Sequence, residues 1–124
     1  MLQLRSRLVV ADNSGAREVY MIGRAKKGNK KYGYLGDVIN VVVKKADPYA
    51  QVKKGEKLQA VIVRTRKENR RKDGSYIRFD DNACVILASN ETQDPKGSRV
   101  FGPIAREVKE SGFNKIASLA TEIY

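Results

Sequence analysis

The side chains that carry acid–base, nucleophilic or metal chemistry are nearly missing from this chain. It contains no His, which removes Ser–His and Cys–His nucleophile pairs and His-based zinc sites. Its one cysteine, Cys84, allows neither a Cys-cluster metal site nor an intramolecular disulfide. Cys84 lies in the apolar run Ala83-Cys84-Val85-Ile86-Leu87 and reads as a small buried apolar residue rather than a reactive thiol. Asp80-Asp81 is the only adjacent pair of carboxylates. Neighbouring side chains of a strand point to opposite faces, so the two would not converge, and they read as turn and solvent-facing groups. No P-loop and no Gly-rich dinucleotide fingerprint is present. Neither an enzyme nor a cofactor or small-molecule substrate is expected.

What the sequence does offer is cations. Lys and Arg total 25 against 14 Asp and Glu, a net charge of +11, and the pI is near 9.9. That is the footprint of a protein that neutralises phosphates. The charge is segregated: residues 1–80 hold 20 basic and 8 acidic side chains, residues 81–124 hold 5 and 6. Solubility accounts for high charge but not for its segregation.

Three clusters stand out. The first is Arg24, Lys26, Lys27, Lys30 and Lys31, interleaved with Gly23, Gly28 and Gly33 and followed by Tyr32 and Tyr34. Glycines let backbone approach a phosphate ridge, lysines neutralise it, and tyrosines stack on unpaired bases or bond a 2′-hydroxyl. The second is Lys44, Lys45, Lys53, Lys54 and Lys57. The third is Arg64, Arg66, Lys67, Arg70, Arg71, Lys72 and Arg78, opposed only by Glu68 and Asp73. Arginine suits this role because its planar fork holds phosphate with two bonds and stacks on bases. Charge alone leaves single-stranded DNA, structured RNA and a heparin-like polyanion open.

These cations must be positioned by short β-branched runs separated by turns. The runs are Leu8–Ala11, Glu18–Ile22, Asp37–Val43, Leu58–Val63, Ser75–Phe79 and Ala83–Leu87, each of strand length and rich in Val and Ile. Asp12-Asn13-Ser14-Gly15, Asp47-Pro48 and Lys54-Gly55 supply turn chemistry. Asp73-Gly74 is a hairpin signal between two extended arms, Val63 to Arg70 and Ser75 to Phe79. Many strands with little helix between them argue for a small closed or nearly closed barrel, although strand count alone leaves a sandwich open. Pro103 opens Ile104–Glu110, with Ser111-Gly112 after it, which is helix punctuation. Asn114 to Leu119 forms a candidate second helix, and both are short enough to need packing on the barrel. The 124 residues fit one domain, 1–124, with the helical region at about 103–120. No apolar stretch approaches the about 20 residues of a membrane span, and Met1-Leu2-Gln3-Leu4-Arg5 has no signal-peptide core.

At this point the segments resemble one family, the universal large-subunit ribosomal protein fourteen, in its bacterial or organellar form. The resemblance covers essentially the whole chain. It is carried by Val10-Ala11-Asp12-Asn13-Ser14-Gly15-Ala16, by Tyr32 through Ile39, and by Val52-Lys53-Lys54-Gly55. Ala60 to Val85 matches the family signature, and Arg99-Val100-Phe101-Gly102-Pro103 and Lys115 to Ala120 close it. Ser98 stands where many members have Thr, and Thr121 replaces a common Pro. The resemblance implies a mostly β fold: a five-stranded barrel with a projecting β-hairpin ribbon and short C-terminal helices. It implies a structural constituent of the large ribosomal subunit that binds large-subunit rRNA and contacts small-subunit rRNA in intersubunit bridges. Large-subunit proteins three and nineteen are implied neighbours. A ribosomal silencing factor is the implied ligand of a surface near Ser98, Arg99 and Lys115. The implied location is the ribosome, in the cytoplasm or in an organelle interior.

Overall fold

The computed structural model describes residues 1–24, 32–88 and 93–124. Among them the strands are β1 (Arg7–Val10), β2 (Ala16–Arg24), β3 (Val38–Ala46), β4 (Lys57–Arg64), β5 (Asn69–Arg70), β6 (Tyr76–Ile77) and β7 (Ala83–Ile86). Two helices follow, α1 (Arg106–Glu110) and α2 (Asn114–Leu119). Five strands close a barrel in the order β1-β2-β3-β4-β7. Neighbours run antiparallel except the closing pair, where β7 lies parallel to β1 with Val9 opposite Ala83. The long pair β2–β3 carries register shifts, one of them between Met21 and Gly23. Such bulges bend and twist strands, which is what closing a small barrel demands.

The apolar residues divide into two cores. The barrel interior holds Leu8, Val19, Met21, Ile39, Val41, Val43, Ile62, Cys84 and Ile86, all at 1% exposure or less. A second cluster lies on the other side of β4 and β7, where Val61, Val63 and Val85 meet Val100, Ile104, Val108, Phe113 and Ile116. The unbroken apolar runs at residues 60–63 and 83–87 thus belong to strands buried on both faces. By contrast Val38 to Lys44 alternates inward and outward, as a strand with one open face does. The helices are five and six residues long, too short to persist alone, and α1 and α2 dock through Val108, Ile116 and Ala117.

Two expected boundaries moved. The first helix begins at Arg106 rather than just after Pro103. Ile104 is held extended by a parallel bridge to Ile123, and Ala105 N–H donates to Val63 O. The hairpin arms shrink to two residues each, with Asn69 opposite Ile77 and Arg70 opposite Tyr76. Below them Phe79 N–H still donates to Thr65 O at 2.9 Å, and side chains add to it: Arg66 N–H donates to Asn82 Oδ1 at 2.9 Å and Thr65 Oγ1 donates to Lys67 O at 3.1 Å. At the tip Asp73-Gly74 makes the expected turn, with Gly74 at φ 89° and Asp73 Oδ1 accepting from Ser75. The ribbon also leans on the body, since Ile77 and Phe79 pack against the interior cluster.

Asp12 shows how the chain finishes the parallel pair. Ala11 O accepts from Phe101 N–H, and the next donor of β7 turns to a side chain. The buried Asp12 carboxylate takes that place, with Oδ2 accepting from Ile86 N–H at 3.0 Å and Oδ1 from Ser14 N–H and Oγ–H. Burial pushes the Asp12 carboxyl above its ordinary range, against the pull of these donors.

Candidate nucleic-acid interface

The expected cations sort into exposed, internal and undescribed groups. Lys44, Lys53 and Lys54 are exposed, as are Lys45 and Lys57, at the β3–β4 end of the barrel. Lys53 and Lys54 sit in a turn anchored to β3 by Gly55 N–H donating to Val43 O at 2.8 Å and by Val43 N–H donating to Glu56 O. On the ribbon Arg66, Lys67, Arg70, Lys72 and Arg78 are exposed, and Lys67 reaches Glu68 at 3.0 Å. Lys26, Lys27, Lys30 and Lys31 lie outside the described residues.

Three arginines expected at the interface are engaged inside the chain. Arg64 is buried. Its Nε donates to Asp81 at 3.0 Å, and its Nη1 donates to the carbonyls of Phe101 and Pro103 at 3.0 and 3.1 Å. Gly102 makes room for that guanidinium, because a Cβ there would collide with Arg64 Nη1. Arg71 pairs with Glu107 of α1 at 2.9 Å, and it also donates to Tyr124 O. The same Glu107 accepts from Asn69, so one carboxylate ties the ribbon to the C-terminal region. Arg24 pairs with Asp37 at 3.2 Å, while Asp37 accepts from Tyr34 N–H. Tyr32 is half-buried. The three arginines cannot be distinguished from exposed cations by spacing, because their partners are 13 to 53 positions away.

Asp80 and Asp81 do not converge: Asp80 is exposed and Asp81 faces Arg64. Gly36, just before β3, meets α1. A Cβ there would stand 2.8 Å from Glu107 O, and its φ is 83°.

The structure also brings together residues that no motif marked. Arg7 and Tyr20 face each other across β1 and β2, and Tyr20 faces Val42 of β3, which faces Lys57 of β4. Arg7 Nη2 donates to the Tyr20 hydroxyl at 3.0 Å. The Arg7 guanidinium lies 5.5 Å from the Tyr20 ring centroid and Lys44 Nζ lies 5.3 Å from it. Glu18 pairs with both Arg7 and Lys45, at 3.2 and 3.8 Å. Only strand register reveals this arrangement, and register is not written in any local motif.

The last third is arranged differently. Ser98 and Arg99 are exposed, and their N–H groups both donate to Asn13 Oδ1, at 2.8 and 3.1 Å. Asn13 Nδ2 donates back to Ser98 Oγ. Lys115 on α2 is exposed and pairs with Asp94 at 3.0 Å. No helix among the described residues is long and apolar enough to cross a membrane.

The model of the ribosomal protein L14p/L23e family matches residues 1–124. The chain belongs to the ribosomal protein L14p/L23e family. This is a family of structural proteins rather than enzymes. The chain is also similar to the large ribosomal subunit protein uL14 of Aquifex aeolicus (strain VF5), with 57% identity over 123 residues, 99% of each chain. Family membership accords with the mostly β barrel and the two short C-terminal helices described above.

Proposed function

We propose that the chain is a structural constituent of the large ribosomal subunit and that residues 1–124 act as one rRNA-binding domain. One observation carries this reading: apart from Arg24, Arg64 and Arg71, the described cations of the first 80 residues stand exposed on a closed barrel and its ribbon, while the near-neutral last third covers β4 and β7. Neutralising phosphates from a fixed frame gives affinity through counterion release with little ordering cost. Lys44, Lys53, Lys54, Arg66, Lys67, Arg70, Lys72 and Arg78 are the contacts we assign to large-subunit rRNA. Arg64, Arg71 and Arg24 we assign to the frame that holds them.

The exposed Ser98, Arg99 and Lys115 form the partner side. We assign to it the small-subunit rRNA of an intersubunit bridge, large-subunit proteins three and nineteen as neighbours, and a ribosomal silencing factor as ligand. The site of action is then the ribosome, in the cytoplasm of a bacterium. The test is sedimentation. The chain should travel with large subunits through a moderate-salt wash and prefer a structured rRNA transcript to an unrelated single strand at fixed salt. Recovery only in the free soluble fraction rejects the proposal.

A further inference from the structure

The barrel's outer surface is treated unequally. On β4 and β7 it is covered by the chain's own C-terminal region. On β1, β2 and β3 it is left open, with Arg7, Val9, Ile22 and Lys44 exposed. A sheet face left open in a small domain is normally polar and mixed in charge. This one is cationic: Arg7, Lys44 and Lys45 stand exposed on it, and Glu18 is the carboxylate that pairs with Arg7 and Lys45. Gathering like charges on one face costs the isolated fold through repulsion, a cost that a polyanion lying on it reverses.

The cations are also organised. Tyr20 stands at the centre, with one face or edge toward each of two cations at 5.5 and 5.3 Å from its centroid. Its hydroxyl accepts from Arg7, and the Glu18 carboxylate pairs with the same guanidinium 3.2 Å from Nε. A long side chain held at two points has already lost the rotamer freedom that phosphate binding would otherwise remove. The second Arg7 nitrogen and the Lys44 ammonium keep donors for an incoming anion.

We infer that the outer face of β1–β2–β3 is a preassembled phosphate-binding surface for the backbone of structured RNA, in which Tyr20 is a positioning residue for Arg7 and Lys44. This deepens the proposed rRNA role and rests on it. It adds residues outside the three basic clusters of the sequence, and it gives the ring a role other than base stacking.

The experiment measures binding of the full chain to a large-subunit rRNA transcript across a range of salt. Arg7→Ala and Lys44→Ala should each make the slope of log affinity against log salt shallower by about 0.7 to 0.9, one phosphate's worth. Lys109→Ala, an exposed cation of the last third, should leave the slope unchanged. Tyr20→Leu removes no charge, yet should weaken binding about five-fold as two cation–ring contacts are lost. Tyr20→Phe keeps the ring and should stay within about two-fold. Thermal melting of each variant checks folding, and Arg7→Gln with Lys44→Gln supplies a milder pair should an alanine variant melt early. Slopes for Arg7 and Lys44 variants equal to wild type overturn the inference. So does a Tyr20→Leu loss seen only on unpaired RNA, which would make the ring a stacking platform. If the wild type shows no preference for the rRNA transcript, the proposed function falls, whatever the slopes. If it shows that preference and the slopes do not move, only this surface falls.

Discussion

Replacing Arg64 with alanine should cost the protein stability and leave its phosphate contacts intact. Its side chain is 10% exposed and makes three kinds of contact. The bond to Asp81 is the weakest contributor, because that carboxylate is 42% exposed and water screens the pair; it is worth under about 1 kcal/mol. The bonds to Phe101 O and Pro103 O weigh more, since their donor is a charged guanidinium on a buried residue. A bond to a charged donor contributes about 1.5–3 kcal/mol, and sharing one nitrogen between two carbonyls puts the pair near the lower end. With lost packing of the alkyl stem, the sum is about 3 kcal/mol. For 124 residues that lowers the melting temperature by roughly 12 °C, at about 4 °C per kcal/mol. Circular dichroism melts of Arg64→Ala beside Asp81→Asn read this directly, and Asp81→Asn should lose under a third as much. An Arg64→Ala protein that melts within about 3 °C of wild type but binds rRNA with a shallower salt slope would refute the reasoning.

The other expectations follow the same division. Arg70→Ala should make the rRNA salt slope shallower by about 0.7 to 0.9 with little change in melting. Arg71→Ala, next in sequence, should instead destabilise by about 2–3 kcal/mol, because it removes the cation from the largely buried Glu107 and leaves it the Asn69 amide. Asp12→Ala strands Ile86 N–H and Ser14 N–H and should cost about 1–3 kcal/mol in urea unfolding. Because burial raises the folded Asp12 carboxyl above its unfolded value, the native chain holds that proton more tightly. Its contribution to stability therefore falls as pH rises through the folded value and is flat above it, so the gap between wild type and Asp12→Ala should be wider near about pH 4 than near about pH 7; a gap that widens with pH contradicts this. Cys84 is fully buried and burial pushes its thiol far up, so a thiol reagent should label it only in denaturant, and rapid labelling of the native chain would show that β7 opens.

Much of the frame was readable in the sequence because local chemistry decides it. The β-branched runs became strands, Asn114–Leu119 became a helix at those residues, and Asp73-Gly74 made its turn. The losses were all long-range. Arg64 and Arg71 look like any other cation until β7 and α1 place Asp81 and Glu107 beside them. Arg7 and Tyr20 look unremarkable until β1 and β2 pair in one register rather than its neighbour, which would put the two side chains on opposite faces. The start of α1 was misplaced because Pro103 is also a good residue for an extended segment, and a bridge to Ile123 decided in favour of that.

The most direct measurement is a structure of the assembled large subunit, read as distances from each cation to the nearest phosphate oxygen. Arg7, Lys44, Lys53, Lys54, Arg66 and Arg70 should lie within ion-pair reach of rRNA phosphates, with Arg64 and Arg71 still on Asp81 and Glu107. Exposed cations of the first 80 residues facing open solvent in the particle, while rRNA lies instead against the α1–α2 side, would contradict the account.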